Sequence, residues 1–452
     1  MVWEDSDHSR KVILIGIDSA TWHVLLPLVR DGRMPNVGRL MEKGVAGPLR
    51  TFKPTLSPLI WATIVTGKSP RKHGIRSFVT LKPVGCRRGI PELRPRQMSP
   101  WFRRLYRYGG LAFLKRALLR TGLLKRVPMG SNMRRCKALW NIFSENGEVV
   151  AVLNWWSSWP AEEVNGCVIS QSVGHLIRNV RAASARDTYP SDLLSQTASF
   201  FPKDGGLPAE ELRRFFEPDE DDMQKIREAS FWDEEHPSPL AMLKFDYLTH
   251  KYLGRASTFC QSRYQPDFLA VLLSVDAVQH FFWHYMEPQH FKGIDPGDVD
   301  KFGKVIERYY IYTDELVGEL LREAGEDTVV FVVSDHGHGP SGELPWSGRH
   351  DKGQDGVIIA SGPGIRQGTW VEGATVYDVA PTLLAATGLP VARDFDGRVR
   401  EGFFSDGFLA AHPIRYVDTY ETEKRGSSEV LSGEVDEEVV ARLRGLGYFE
   451  GL

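Results

Sequence analysis

Three apolar segments of this sequence each run directly into an aspartate. They are residues 12–17 before Asp18, residues 268–275 before Asp276, and residues 328–334 before Asp335. Valine, isoleucine and leucine follow one another there without polar alternation, which is typical of strands buried on both faces of a parallel α/β sheet. Because ligand sites of open α/β sheets lie at the carboxyl ends of the strands, we expect the three carboxylates at one edge of one sheet. Carboxylates so close together repel one another, and bound cations are the usual compensation.

Length and composition are those of a large globular protein. The 452 residues are 42% hydrophobic and 25% charged, with a formal net charge of −2, which gives no reason to expect nucleic acid as a partner. The four cysteines lack CxxC spacing, so neither thiolate zinc nor a disulfide framework is predicted. Residues 1–11 are polar, and no segment approaches the ~18 apolar residues of a membrane span, so we expect a cytoplasmic location.

Two insertions interrupt the alternation of strands and helices. We assign residues 1–80, 137–175 and 246–412 to a core, 81–136 to a basic helical insertion, 176–245 to a helical cap insertion, and 413–452 to a tail with a helix at 434–446. In the basic insertion, lysines and arginines alternate with aromatic residues and leucines, and Glu92 is the only acid. Two interpretations stay open: a solvated helical cap with an apolar underside, or a surface for anionic substrate or lipid headgroups, including peripheral membrane contact through 87–135.

Histidines follow two of the aspartates at spacings that suit metal binding. A helix starting at Asp276 places His280 and His284 on the same face, at i+4 and i+8. Asp335 is followed by His336, His338 and His350. Mixed aspartate and histidine ligands suit zinc, or manganese where carboxylates dominate. Taken singly, each aspartate could instead cap a helix, and each histidine could be an ordinary buried side chain.

Ser57 is the predicted nucleophile. It precedes Pro58 and an apolar helix that ends at Thr66-Gly67, so its structural role would be that of an N-cap. The same placement sets its hydroxyl at the positive end of a helix, where a phosphate oxygen is stabilised. A metal bound to the hydroxyl would lower its pKa and activate it. Thr55 is the competing hydroxyl.

Taken together, these motifs resemble the alkaline phosphatase superfamily in its type I phosphodiesterase/nucleotide pyrophosphatase branch. The resemblance rests on Ile15–Asp18, Met34–Asn36, Ser57–Gly67, His73–Ile75, Asp276–His280, Ser334–Gly337, His350 and Gly362–Gly364. It implies an α/β fold: a three-layer sandwich with a mostly parallel central sheet and helical cap insertions. It also implies two divalent metal ions, the first held by Asp276, His280 and His350, the second by Asp18, Asp335, His336 and the Ser57 hydroxyl. His284 and His338 are left as outer or substrate-side candidates.

The function that this resemblance implies is a two-metal phosphohydrolase, a diesterase rather than a monoesterase, acting through a phospho-serine at Ser57. The expected substrate is a small phosphate ester or a lipid headgroup. Arg76-Ser77-Phe78 stands where many nucleotide-processing members have a phosphate-holding asparagine. Two alternatives stay open: a metal-dependent phosphotransferase or mutase of the same superfamily, and a non-catalytic binding protein that retains the fold. The sequence makes no prediction of oligomeric state.

Overall fold

A ten-stranded sheet forms the centre of the protein. The computed structural model describes residues 10–86, 89–91, 99–174, 183–201, 207–229, 238–350 and 354–422. Across the sheet the strands follow one another as Thr369–Trp370, Gly44–Arg50, Gly356–Ser361, Val329–Val333, Val12–Asp18, Phe268–Ser274, Val150–Leu153, Gly166–Ile169 and Thr188–Tyr189, and Ala374–Thr375 also pairs with Gly44–Arg50.

The central strands are parallel, and their carboxyl ends are aligned. Val12–Asp18 runs parallel to both Val329–Val333 and Phe268–Ser274, with Gly16 opposite Val333 and Asp18 opposite Ser274. Gly356–Ser361 is antiparallel to both of its neighbours, and Thr188–Tyr189 is antiparallel to Gly166–Ile169. The predicted mostly parallel sheet is thus confirmed.

Helices cover both faces of the sheet, which makes the fold the predicted three-layer sandwich. Along the first strand, Ile13, Ile15 and Ile17 face one core layer, while Val12 and Leu14 face the other. The first layer contains helices Trp22–Arg30, Pro35–Glu42, Pro239–Tyr264, Asp276–Met286 and Val305–Leu320. The second contains helices Ser57–Thr66, Leu139–Glu145 and Val379–Thr387.

Short helices complete the described part of the chain. The α-helices among them are Pro70–His73, Leu193–Gln196, Ala209–Leu212, Glu220–Glu228, Pro296–Phe302 and Phe408–Ala411. The 3-10 helices are Ser131–Met133, Ala198–Phe200, Pro288–His290 and Glu401–Phe403. A search of the described helices for one that is long and apolar enough to cross a bilayer finds none.

The basic insertion contains a small sheet in addition to the predicted helices. Val79–Pro83 pairs antiparallel with Ile90–Pro91 and with Leu124–Pro128. Between these strands stand the helices Pro100–Tyr108 and Leu111–Arg120. Ser99 caps the first helix by accepting from the backbone N–H of Phe102, and Gly110, at φ 75°, allows the chain to reverse into the second helix.

The described part of the 176–245 insertion packs on the first core layer. The Phe215 ring lies 5.3 Å from that of Tyr247 in helix Pro239–Tyr264 and 5.5 Å from that of Tyr309 in helix Val305–Leu320. The cap role predicted for this insertion stays a prediction.

The described start of the C-terminal tail lies against the core. Tyr416–Val417 pairs with Val391–Ala392, and the Glu421 carboxylate lies 3.1 Å from the buried ammonium group of Lys68. The helix predicted at 434–446 lies outside the described residues.

Candidate active site

The three aspartates that end the apolar segments lie together at the carboxyl edge of the sheet. Asp18 is the last residue of its strand, Asp276 is the first residue of helix Asp276–Met286, and Asp335 follows strand Val329–Val333. The backbone N–H of Val275 donates to the Asp18 carbonyl, which joins two of the strand ends. All three carboxylates are buried, with Asp335 completely inaccessible. The parallel register therefore brings them to one place, as the sequence pattern predicts.

The first group of potential metal ligands contains Asp276, His280 and His338. One donor atom of each lies within 4.8 Å of the others. His280 Nε2 lies 3.4 Å from Asp276 Oδ2, and His338 Nδ1 lies 3.7 Å from Asp276 Oδ1. His280 Nδ1–H donates to the Gly348 carbonyl at 2.7 Å, so its Nε2 is left to face the carboxylate. A side chain at Gly348 would meet His338 Nε2 at 2.5 Å, so this close approach requires glycine.

The second group contains Asp18, Asp335 and His336, again with donor atoms within 4.8 Å of one another. His336 Nε2 lies 3.2 Å from Asp335 Oδ2 and 4.0 Å from Asp18 Oδ1. His336 Nδ1 lies 3.3 Å from the Gly337 carbonyl, which can only accept, so the ring proton belongs on Nδ1. His336 Nε2 and Asp335 Oδ2 therefore face each other, and both are acceptors once the Asp335 carboxyl is ionised.

His350 lies between the two groups. Its ring stacks on His336 at 4.4 Å between centroids and lies 5.5 Å from His280 and 5.9 Å from His338. His338, which the resemblance does not assign to the first group, has a donor atom within 4.8 Å of those of Asp276 and His280. Both histidines are thus candidates for the third ligand there. His284 packs against Tyr285, with ring centroids 3.8 Å apart, and belongs to neither of the two groups just described.

Electrostatics distinguish the three carboxylates. Burial, with the charges of Asp335 and Asp276, holds the pKa of Asp18 well above its usual range. Burial and the Asp276 charge raise the pKa of Asp335 to about 8. Burial also raises the pKa of Asp276, but the imidazoles of His280, His350 and His338 outweigh it and hold that pKa well below its usual range.

Three of the site histidines are neutral near pH 7, whereas the Asp276 charge raises the pKa of His280 against the effect of burial. Burial lowers the pKa of His336, and it lowers the pKa values of His338 and His350 well below their usual range. These rings are therefore neutral near pH 7, which is the form that coordinates a metal.

Unpartnered atoms in both groups match a pair of cations. Asp335 Oδ2, His336 Nε2 and both ring nitrogens of His338 are buried without a hydrogen-bond partner. Buried polar atoms of folded proteins nearly always have one, and a cation between facing acceptors supplies what is missing. The residues present thus fit two divalent ions, and their mixture of imidazole and carboxylate suits zinc, with manganese as the alternative.

Ser57 lies at the second group. Its hydroxyl donates to Asp18 Oδ1 at 3.4 Å, and the side chain is 1% exposed. The predicted N-cap role is wrong: Leu56 is the N-cap, in extended conformation, and Ser57 is the first helical residue. The Ser57 hydroxyl therefore does not serve as the N-cap of this helix. The competing hydroxyl of Thr55 donates to the His350 carbonyl at 3.3 Å.

Ser19 is a site residue that sequence reasoning missed. Its hydroxyl bonds to Asp276 Oδ1 at 2.5 Å, and its backbone N–H donates to Asp335 Oδ1 at 3.2 Å, so it contacts both groups. Its φ of 67° is in the left-handed region, which is uncommon outside glycine and marks a constrained backbone. Its position directly after Asp18 was the available signal.

Two tryptophans that the sequence analysis did not select hold Asp18. The indole N–H groups of Trp61 and Trp156 both donate to Asp18 Oδ2 at 3.1 Å. They orient the carboxylate so that its other oxygen faces Ser57. The signal for Trp156 was its place just after the strand predicted at 148–153, at the same sheet edge.

The chain is similar to one known family and to several solved structures. A family model described as type I phosphodiesterase / nucleotide pyrophosphatase matches residues 12–367. No curated protein matches the sequence significantly. Phosphonoacetate hydrolase from Sinorhizobium meliloti 1021, in complex with phosphonoformate, is 14% identical with a TM-score of 0.40, and the match covers 75% of this chain but only 58% of that one. A murine ectonucleotide pyrophosphatase / phosphodiesterase 5, in an inactive form in complex with AMP, is 11% identical with a TM-score of 0.46, covering 88% of this chain and 100% of that one.

Proposed function

This chain belongs to the type I phosphodiesterase / nucleotide pyrophosphatase family, and we propose that it is a two-metal phosphodiesterase that acts through a phospho-Ser57 intermediate. The observation that carries the proposal is the position of the Ser57 hydroxyl. It lies at a helix N-terminus, buried, and next to a group of acceptor atoms that lack partners. A phosphate ester would fit this position, because its anionic oxygens are stabilised at a helix N-terminus and its electrophilic phosphorus can be attacked by the hydroxyl.

Two sets of residues would hold the ions. Asp276 and His280, with His338 or His350, would hold the first, and Asp18, Asp335, His336 and Ser57 the second. When bound, two divalent ions stabilise negative charge on the attacking and the leaving oxygen of an in-line displacement and favour the deprotonated hydroxyl.

The chain's own groups supply the rest of the reaction. Ser57 Oγ gives up its proton and forms a bond to phosphorus, while the bond from phosphorus to the leaving alcohol breaks and that oxygen takes up a proton. Water then attacks the phospho-serine, releases phosphate monoester and restores the Ser57 hydroxyl. Trp61 and Trp156 keep Asp18 in place, and Ser19 keeps Asp276 and Asp335 in place, throughout both steps.

The test is acid quenching of the zinc-reconstituted protein during turnover of an aryl phosphodiester, followed by mass spectrometry of the peptide that carries Ser57. We expect a phosphoryl group on Ser57 in the wild type. Ser57→Ala should bind zinc with unchanged stoichiometry but lack both the adduct and turnover. Thr55→Ala is the matched control, since it removes a neighbouring hydroxyl, and it should keep the adduct.

Other outcomes would separate the alternatives. A phosphoryl group on Thr55, or full turnover by Ser57→Ala, would contradict the proposal. Transfer to an added alcohol in preference to water would point to a phosphotransferase or mutase. Purified protein that takes up no metal and turns over no phosphate ester would favour a non-catalytic binding protein.

A further inference from the structure

The basic insertion exposes an unusual amount of apolar surface. Nine of the twelve large hydrophobic side chains that are exposed in the described part of the chain lie in residues 81–136. Those on the two helices Pro100–Tyr108 and Leu111–Arg120, which we call the basic hairpin, are Trp101, Phe102, Leu105, Tyr108, Phe113 and Leu114. No residue of helix Leu111–Arg120 is buried. Apolar patches of this kind on a protein surface mark a place where something binds.

The arrangement within the first helix is amphipathic. Trp101, Leu105 and Tyr108 follow one another at i, i+4 and i+7, so they share one helix face. Trp101 is 73% exposed and Tyr108 77% exposed, so this face is not covered by the core. The apolar side chains on this face are therefore accessible to a partner.

All charged side chains of the basic hairpin are positive. Residues 99–120 contain no aspartate or glutamate. Their basic residues are Arg103, Arg104, Arg107, Lys115, Arg116 and Arg120. The whole protein has a net charge of only −2, so this positive potential is local to the insertion and calls for an anionic partner.

We propose that the basic hairpin docks this protein on the surface of a membrane that contains anionic lipids. Tryptophan and tyrosine prefer the boundary between headgroups and acyl chains, where phenylalanine and leucine gain by insertion and arginine and lysine meet lipid phosphates. Exposed aliphatic side chains such as Leu105 and Leu114 favour a bilayer over a nucleic acid, which offers them little apolar surface. Each helix is about 15 Å long, half of the ~30 Å needed to span, so the hairpin lies in the interface.

A short series of contacts joins the sheet that supports the basic hairpin to the candidate active site. Its supporting sheet begins at Val79, directly after Phe78, whose ring lies 5.6 Å from that of Trp156. Trp156 in turn donates to Asp18. Membrane docking is nevertheless independent of the phosphodiesterase proposal, because it can be measured as binding without any turnover.

The experiment is sedimentation of the full chain with vesicles of phosphatidylcholine alone and of phosphatidylcholine mixed with phosphatidylglycerol. We expect binding to the mixed vesicles to be at least about tenfold stronger than to neutral ones, and to weaken as salt rises above about 0.1 M. An apolar variant combines Trp101→Ser, Tyr108→Ser and Phe113→Ser, and a charge variant combines Arg104→Gln, Arg116→Gln and Arg120→Gln. Each should lower binding at least about tenfold.

Matched controls come from outside the insertion. Tyr416→Ser removes an aromatic side chain that is 48% exposed, and Arg30→Gln removes an exposed arginine. Both should bind the mixed vesicles like the wild type. Unchanged thermal midpoints of the hairpin variants would show that they fold normally.

Two results would overturn the proposal. One is hairpin variants that bind the mixed vesicles as well as the wild type does. The other is wild-type protein that does not bind vesicles but is a dimer by light scattering, while the apolar variant is a monomer. In that case the hairpin would bind a second copy of the chain.

Discussion

Trp156→Phe tests whether the indole hydrogen bonds to Asp18 matter to catalysis. The substitution removes the N–H that donates to Asp18 Oδ2 at 3.1 Å. It keeps an aromatic ring at the position where Trp156 packs edge-on against Phe78, 5.6 Å away between centroids. The perturbation is therefore close to the loss of one hydrogen bond.

The magnitude follows from the charge of the acceptor. A hydrogen bond to a charged group contributes about 1.5–3 kcal/mol, and about 1.4 kcal/mol corresponds to a factor of ten in rate. Because Trp61 still donates to the same oxygen, we take the lower end and expect kcat/KM to fall about tenfold. The Trp156 bond also lowers the pKa of Asp18, so its loss should raise that pKa further and weaken metal binding.

The assay is kcat/KM for a soluble aryl phosphodiester at several zinc concentrations. We expect part of the loss in Trp156→Phe to be recovered at high zinc. Trp140→Phe is the control, since Trp140 is a buried tryptophan that donates to Glu162 at 2.9 Å instead of to Asp18. Activity of Trp156→Phe within about twofold of the wild type, or an equal loss in Trp140→Phe, would refute the reasoning.

Three further predictions concern protons and backbone. The pKa of Asp335 is raised to about 8 and that of Asp18 is raised as well, so protons must leave before an ion binds. Zinc affinity of metal-free protein should therefore rise at least about tenfold per pH unit up to pH 8; calorimetry showing no pH dependence would contradict this. Burial lowers the pKa of His73 to about 3 in the folded protein, whereas a histidine of the unfolded chain titrates at about 6.5. Between these two pH values the unfolded chain binds more protons than the folded protein does, so stability falls as the pH falls. Between pH 8 and pH 5 the free energy of unfolding, measured with urea, should therefore fall by about 2 kcal/mol more in the wild type than in His73→Asn. This variant keeps an acceptor for the Ile75 N–H. Equal decreases in the two proteins would count against the prediction. Ser19→Ala and Ser19→Gly should both lose activity, but Ser19→Gly should be the more stable by about 1 kcal/mol, because glycine adopts the positive φ without strain; equal thermal midpoints would argue against strain at this position.

The architecture and half of the site could be predicted because their signals are local in the sequence. A buried strand needs an unbroken run of β-branched and aliphatic residues, and Val12–Asp18, Phe268–Ser274 and Val329–Val333 form where such runs occur. The carboxyl ends of parallel strands share an edge, so Asp18, Asp276 and Asp335 had to converge. The helical period likewise placed His280 one turn after Asp276.

Other features depend on contacts between distant parts of the chain, which no periodicity encodes. Ser19 and Asp335 are 316 residues apart, yet the backbone of one donates to the carboxylate of the other. Tertiary packing decided that His338 has a donor atom within 4.8 Å of those of Asp276 and His280, and that Trp156 reaches Asp18.

The sequence by itself therefore determined which residue types lie at the carboxyl edge of the sheet, because strand pattern and strand direction suffice for that. The tertiary structure alone decided which donor atoms face each other and which lack partners, because those depend on the packing of side chains from separate segments. It also decided that the aromatic face of the basic hairpin stays uncovered, since burial of a surface depends on what the rest of the chain folds against.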